Sequence, residues 1–166
     1  MTVILRHNDS LELNHVEYEG SITPAELAAL ADYQATDPSW LSYDCINWIK
    51  PGADFRTVDL ADLDDIFQKY RALFEPLNFV IFRRSAWICE SDASEGHLQN
   101  WIGERDTRRG MSSDVRRFDT LAQACAWLVL NPAQALTVAR AEGFKEVVRF
   151  TEPPSLARAL GRVPGR

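Results

Sequence analysis

The sequence predicts an α/β fold: a mixed β-sheet that opens with a hairpin and carries helices packed on it, in the order ββαβαβαβα. Two observations lead there. From Pro51 to Phe74, the residues Leu60, Leu63, Phe67, Tyr70 and Phe74 recur at spacings of 3, 4, 3 and 4, which sets them on one stripe of an α-helix. Short apolar runs flank this segment, CINWIK before it and FVIFRRSAWIC after it, so strand, loop, helix and strand make a βαβ unit lying over a sheet. The charges agree with the helix. Asp59, Asp62, Asp64 and Asp65 crowd its first turns and Lys69 and Arg71 its last, the polarity a helix macrodipole favours.

The remaining elements follow in order. Thr2 to Arg6 reads as a strand, HNDS as a turn and Leu11 to Glu19 as the antiparallel partner. In that partner Leu11 and Leu13 share one phase and Val16 and Tyr18 the other, so a bulge or bend is expected near Asn14–His15. Thr23-Pro24-Ala25-Glu26 supplies an N-cap, a proline at the first helical position and the glutamate of a capping box. Leu27, Leu30 and Ala31 form that helix's apolar face, and Asp37-Pro38 ends the segment. Cys45 to Lys50 is apolar on both phases apart from Asn47, which suits a central strand covered on both sides.

Ser85 to Glu90 is expected as the next core strand, with Phe79 to Arg84 as its approach. Asp92 and Glu95 open a helix whose apolar contacts are Leu98, Trp101 and Ile102. DTRRGMSSD reads as a polar loop and Val115 to Phe118 as a short strand. Thr120 and Gln123 form a capping box before a helix that turns Leu121, Ala124, Cys125 and Leu128 inward, and Asn131-Pro132 opens a last helix running to Gly143. FKEVVRF fits either an edge strand or packed coil. The expected organisation is an α/β domain over 1–130, a helical extension over 131–150 and a mobile tail over 151–166.

A chain of 166 residues suffices for one domain with a core of its own, and 46% hydrophobic with 25% charged residues is ordinary globular composition. Net charge is −6, with three arginines against one glutamate leaving +2 on the last sixteen residues and −8 on the rest. An acidic body argues against nucleic acid or an anionic membrane as partner. No apolar run approaches a membrane span, and Met1 to Ser10 lacks a signal-peptide core. Cys45, Cys89 and Cys125 are odd in number, scattered and set among apolar neighbours, which fits reduced, buried thiols in the cytoplasm.

No spacing supports an enzyme. His7, His15 and His97 show no metal-ligand pattern, glycines form no phosphate cradle and no G-x-S-x-G elbow exists, so neither metal nor cofactor is expected. Asp62 and Asp65 lie one turn apart on a polar helix face, and His97 with Asp92 and Glu95 fits a solvated first turn. Arginines are the more informative group: Arg83-Arg84 and Arg116-Arg117 are placed near the starts of neighbouring strands. There they form a basic edge for an anion or acidic partner, or each pairs with a nearby aspartate. Trp48, Trp87, Trp101 and Trp127 fall in core-facing elements, where packing is the default. Two of them lining one cavity would instead make an apolar ligand site.

Several words in the chain, in their order, resemble the bacterial SpoIIAA-like family, related to the STAS domains of anti-sigma-factor antagonists. They are EYEGSITPAEL after the hairpin, DLADLDDIFQKY, RRSAWI and VRRFDTLAQACAWL, and the likeness covers about Val3 to Leu130. The resemblance implies a four- or five-stranded sheet and a regulatory, protein-binding role. In the antagonists a serine of an Asp-Ser-Ser-Gly motif before the second helix is phosphorylated to break the complex. Here that stretch is Lys50 to Asp59, its only hydroxyl is Thr57, and a partner would meet Asp54, Phe55, Arg56 and Thr57 with Arg83 and Arg84 as further contacts. Distant members of this broad fold resemble CRAL-TRIO lipid carriers, which implies a small apolar ligand as the other partner class. The oligomeric state is left open, a dimer included.

Overall fold

A computed structural model describes residues 2–77, 83–103 and 107–151, with the side chains of Pro38 and Arg108 outside that description. The expected approach segment 79–82, Asp106 of the polar loop and the tail beyond Thr151 therefore lie outside the described residues. The chain runs through β1 (Thr2–Asn8), β2 (Leu13–Glu19), α1 (Pro24–Gln34), α2 (Pro38–Ser42), β3 (Asp44–Ile49), α3 (Leu60–Phe74), β4 (Arg83–Cys89), α4 (Glu95–Gly103), α5 (Thr107–Met111), β5 (Ser113–Phe118), α6 (Leu121–Trp127), α7 (Pro132–Ala139) and β6 (Lys145–Thr151).

Among the described residues the strands form one six-stranded mixed sheet in the order β5-β4-β3-β2-β1-β6. β1 is antiparallel to both β2 and β6, while β2, β3, β4 and β5 are parallel in sequence order. Successive right-handed crossovers in one direction put their helices on one face. Accordingly α1 to α5 share one apolar cluster with Val3, Leu5, Val16, Tyr18, Cys45 and Ile49 of the sheet. After β5 the chain returns across the opposite face, where α6 and α7 pack on Leu13, Ile46, Ala86 and Ile88. β6 then closes beside β1, so FKEVVRF is an edge strand that ends with Thr151 opposite Thr2.

Covering both faces corrects the expected bulge at Asn14–His15. β2 pairs with β1 without a register shift, and six of its seven residues are buried because each phase meets its own helical layer. The irregularity lies instead on the β1–β6 ladder, between Leu5 and Arg6. Two short helices also depart from expectation. Asp37-Pro38 begins α2 rather than only ending α1, with the Asp37 side chain accepting from Ser39 N at 2.8 Å. The supposed polar loop holds α5, whose Met111 is buried and whose Gly110 lets the Phe67 ring approach, since a Cβ there would stand 2.4 Å from Phe67 Cζ.

α3 forms where its periodicity places it, with its buried stripe shifted. Asp59 is the N-cap, and it exchanges hydrogen bonds with Asp62 in a capping box. The buried residues are Leu63, Ile66, Tyr70 and Phe74, whereas Leu60 in the first turn is 55% exposed. α6 ends in a Schellman motif: Leu130 N donates to Cys125 O and Val129 N to Ala126 O. That geometry needs a left-handed residue, and Val129 supplies it at φ +64 while 79% exposed.

On the α6–α7 face His15 is 1% exposed, its ring near those of Trp48 and Phe144. Burial pushes its pKa from 6.5 down to about 4; Glu17 opposes that shift, and Arg6 and Lys50 add to it. Glu17 itself accepts from Arg6 at 2.7 Å and lies 3.4 Å from Lys50. Burial alone would raise the Glu17 pKa, but the Arg6 hydrogen bond with the surrounding charges leaves it below the carboxylate value.

Three outcomes follow for stability. Leu63→Ala costs about 2–5 kcal/mol and Leu60→Ala stays within about 0.5 kcal/mol, as urea midpoints will show. Val129→Gly relieves the left-handed valine and gains about 1 kcal/mol in the same assay, net of the greater freedom glycine gives the unfolded chain. For His15, the folded pKa lies below the unfolded one, so its contribution is complete above pH 6.5 and declines as pH falls toward 4. Stability therefore drops by about 2 kcal/mol between pH 7 and pH 5, and His15→Phe flattens that dependence.

Candidate functional site between the sheet and its first helices

The period of two along a strand selects what faces α1, α3 and α4. Tyr18 of β2, Asn47 and Ile49 of β3, and Arg83, Ser85 and Trp87 of β4 line that side of the sheet. Above them come Leu27, Leu30 and Gln34 from α1, Leu63, Ile66 and Tyr70 from α3, and His97, Leu98 and Trp101 from α4. Together with Trp40 and Phe55 they surround a cavity of about 70 Å³ that opens to the surface. Trp40, Trp87 and Trp101 all line it.

A polar row crosses the floor. Tyr18 Oη donates to Asn47 Oδ1 at 3.4 Å, and Asn47 Nδ2 donates to Ser85 Oγ at 3.0 Å. On the wall, Tyr70 Oη donates to Gln34 Oε1. Burial raises the pKa of both tyrosines and pushes the Cys45 thiol on β3 up to about 12. Tyr18, Tyr70 and Cys45 therefore hold their protons at neutral pH, and Arg83 adds a guanidinium to the cavity lining. Rings frame the rest: Tyr18 stacks on Trp87 at 5.8 Å between centroids, and Trp101 meets Phe67 and Tyr70 edge-on at 6.2 and 6.3 Å.

The loop before α3 forms part of the wall. Asp54 joins the β2–α1 turn through Asp54 N to Gly20 O at 2.8 Å and Ile22 N to Asp54 O at 2.7 Å. Ser91 and Ser94 donate to Ala53 O at 2.5 and 2.9 Å, and His97 Nε2 donates to Val58 O at 2.9 Å. His97 therefore pins this loop rather than belonging to a solvated first turn. Phe55, 6% exposed, turns inward against Tyr18 and His97. Arg56 turns outward, its side chain 83% exposed, and its backbone N–H and guanidinium hold the Asp54 carboxyl below the usual range. Thr57 Oγ1 donates to Ile22 O at 3.0 Å.

The two adjacent arginines separate. Arg84 forms an ion pair with Asp44 at 2.5 Å and donates to Trp127 O at 3.0 Å and Leu128 O at 3.2 Å, holding the end of α6. Arg83 points to the other face, 4% exposed, beneath the Trp40 ring at 4.0 Å. No shared basic edge forms with Arg116-Arg117, because Arg83 and Arg84 open β4 whereas Arg116 and Arg117 approach the end of β5. Arg116 pairs with Asp114 at 3.2 Å, and Arg117 with Glu95 at 3.1 Å and Asp119 at 3.0 Å. Of the residues expected to meet a partner, Phe55 and Arg83 line the cavity and Asp54, Arg56, Thr57 and Arg84 do not, while Trp87 and Trp101 line it among the four tryptophans weighed as a ligand site. Gln34, Trp40, Asn47, Tyr70 and Ser85 were missed; the polar Asn47 inside an apolar run was the one visible signal.

No family model, curated protein or solved structure matches the chain. The loop geometry does bear on a phosphorylation switch. Phosphorylation would remove the Thr57 to Ile22 bond and bring close to two negative charges near the Asp59–Asp62 capping box. Intact-mass analysis of protein from its own host is expected to show no species heavier by about 80 Da that maps to Thr57. A substantial one would restore the switch.

Proposed function

We propose that this protein binds a small apolar ligand in the cavity between β2–β4 and helices α1, α3 and α4. The observation that carries it is the lining: three tryptophans with leucines and isoleucines around a cavity of about 70 Å³ that interdigitated side chains leave unfilled. The CRAL-TRIO resemblance supports the same role by analogy of fold, with a helix lifting from the sheet to admit the ligand. The three cysteines are free, which supports a reducing, cytoplasmic setting. No described helix is long and apolar enough to cross a membrane.

A second reading keeps the regulatory role that the SpoIIAA-like resemblance implies. Its support is Arg56, exposed on the loop whose Phe55 forms the cavity wall, so a partner protein meeting Arg56 would sense the cavity's state. Native mass spectrometry on protein from its own host separates the two. A non-covalent adduct of small-molecule mass, lost on denaturation, is the expected result. A bare chain that carries a second protein instead would favour the regulatory module.

A further inference from the structure

Arg83 lines the cavity without a counter-charge. Its Nε and Nη1 are buried and lack hydrogen-bond partners among the described residues, and the nearby Asp44 carboxylate is engaged by Arg84. Trp40 at 4.0 Å and Phe74 at 5.5 Å cover the guanidinium with their rings, which suits its faces but leaves its in-plane N–H groups unanswered. Burial lowers the Arg83 pKa, yet a guanidinium stays protonated across the physiological range.

The other polar groups around the cavity make the imbalance sharper. The acceptors are in use: Asn47 Oδ1 receives Tyr18, Ser85 Oγ receives Asn47, and Gln34 Oε1 receives Tyr70. Among the described residues, the lining atoms left without a partner are donors, Gln34 Nε2, Trp40 Nε1 and Trp87 Nε1, all three buried. A buried cation among unanswered donors is costly unless an acceptor with negative charge meets it.

The geometry points to an apolar carboxylic acid as the ligand, its carboxylate on Arg83 and its hydrocarbon body along Leu63, Ile66, Leu98 and Trp101. One guanidinium matches one carboxylate in fork geometry, whereas a phosphate dianion would keep half its charge uncompensated in this single-cation cavity. Gln34 and Trp40 are further donors for the carboxylate oxygens. This inference rests on the ligand-binding function proposed above and adds the chemical class.

Matched acid–alcohol pairs test it on the full chain. Tryptophan fluorescence at neutral pH is followed on titration with decanoate and 1-decanol, and with 2-naphthoate and 2-naphthalenemethanol, so the two pairs also report whether the body is alkyl or aromatic. Wild-type protein is expected to bind the acid of at least one pair tenfold or more tighter than its alcohol. Arg83→Met removes that preference and leaves the alcohol's affinity within twofold, with a urea midpoint at or above wild type because the unpaired cation is gone. Should Arg83→Met fail to fold, Arg83→Lys keeps the charge and retains a reduced preference, and the wild-type comparison stands by itself. Equal affinity of wild type for acid and alcohol in both pairs overturns the carboxylate site and leaves the apolar cavity standing. Binding of neither member of either pair overturns both.

Discussion

Parallel strands laid down one after another on the same side constrain nearly everything in this molecule. Because β2, β3, β4 and β5 stand side by side in chain order, each right-handed connection returns over the same face. That face receives α1, α3 and α4 in a row, and three helices resting on one twisted surface leave room between them that side chains must fill. Here the space falls to large rings and a few polar groups, and a cavity remains. The opposite face is covered only because the chain must travel back to place β6 beside β1.

The same sheet decides the fate of two identical neighbours. Arg83 and Arg84 differ by one step along β4, and a strand sends successive side chains to opposite faces. Arg84 arrives where an aspartate and the free carbonyls at the end of α6 await it, so its charge and donors are answered. Arg83 arrives beneath aromatic rings where no carboxylate stands within ion-pair distance among the described residues. Chemistry at the site thus depends on parity along the strand and on the helix that parity meets.

Local signals were the legible part of the sequence. Capping at Thr23, Asp59, Thr120 and Asn131 involves neighbours in the chain, and each N-cap forms, although at Thr120 the reciprocal bond of the expected box goes from Asp119 N to Gln123 instead. α3 was readable from its periodicity, yet a stripe drawn through Leu60 could not show that the first turn overhangs the sheet and that Ile66 faces it instead. The phase change within β2 looked like a defect because one strand seen alone cannot reveal a second covering layer. α2 and α5, at five residues each, carry too little periodicity to stand out. The cavity was least legible of all. Gln34 and Trp40, Tyr70, and Arg83 come from three separate stretches of the chain and meet only once the sheet has set the helices in place.

The pairing of Thr2–His7 with Lys145–Thr151 has a consequence for how the molecule is made. Until the last of these residues has been synthesised, β1 is an outer strand whose free N–H and C=O groups face away from β2. It is also short of the apolar cover that Val147, Val148 and Phe150 provide. Among the described strands the first thus waits for the last, a contact of long sequence separation, and closure of loops that long slows folding. During that interval the growing chain exposes a pairing edge that carries Val3, Ile4 and Leu5, the kind of edge on which nascent strands mispair.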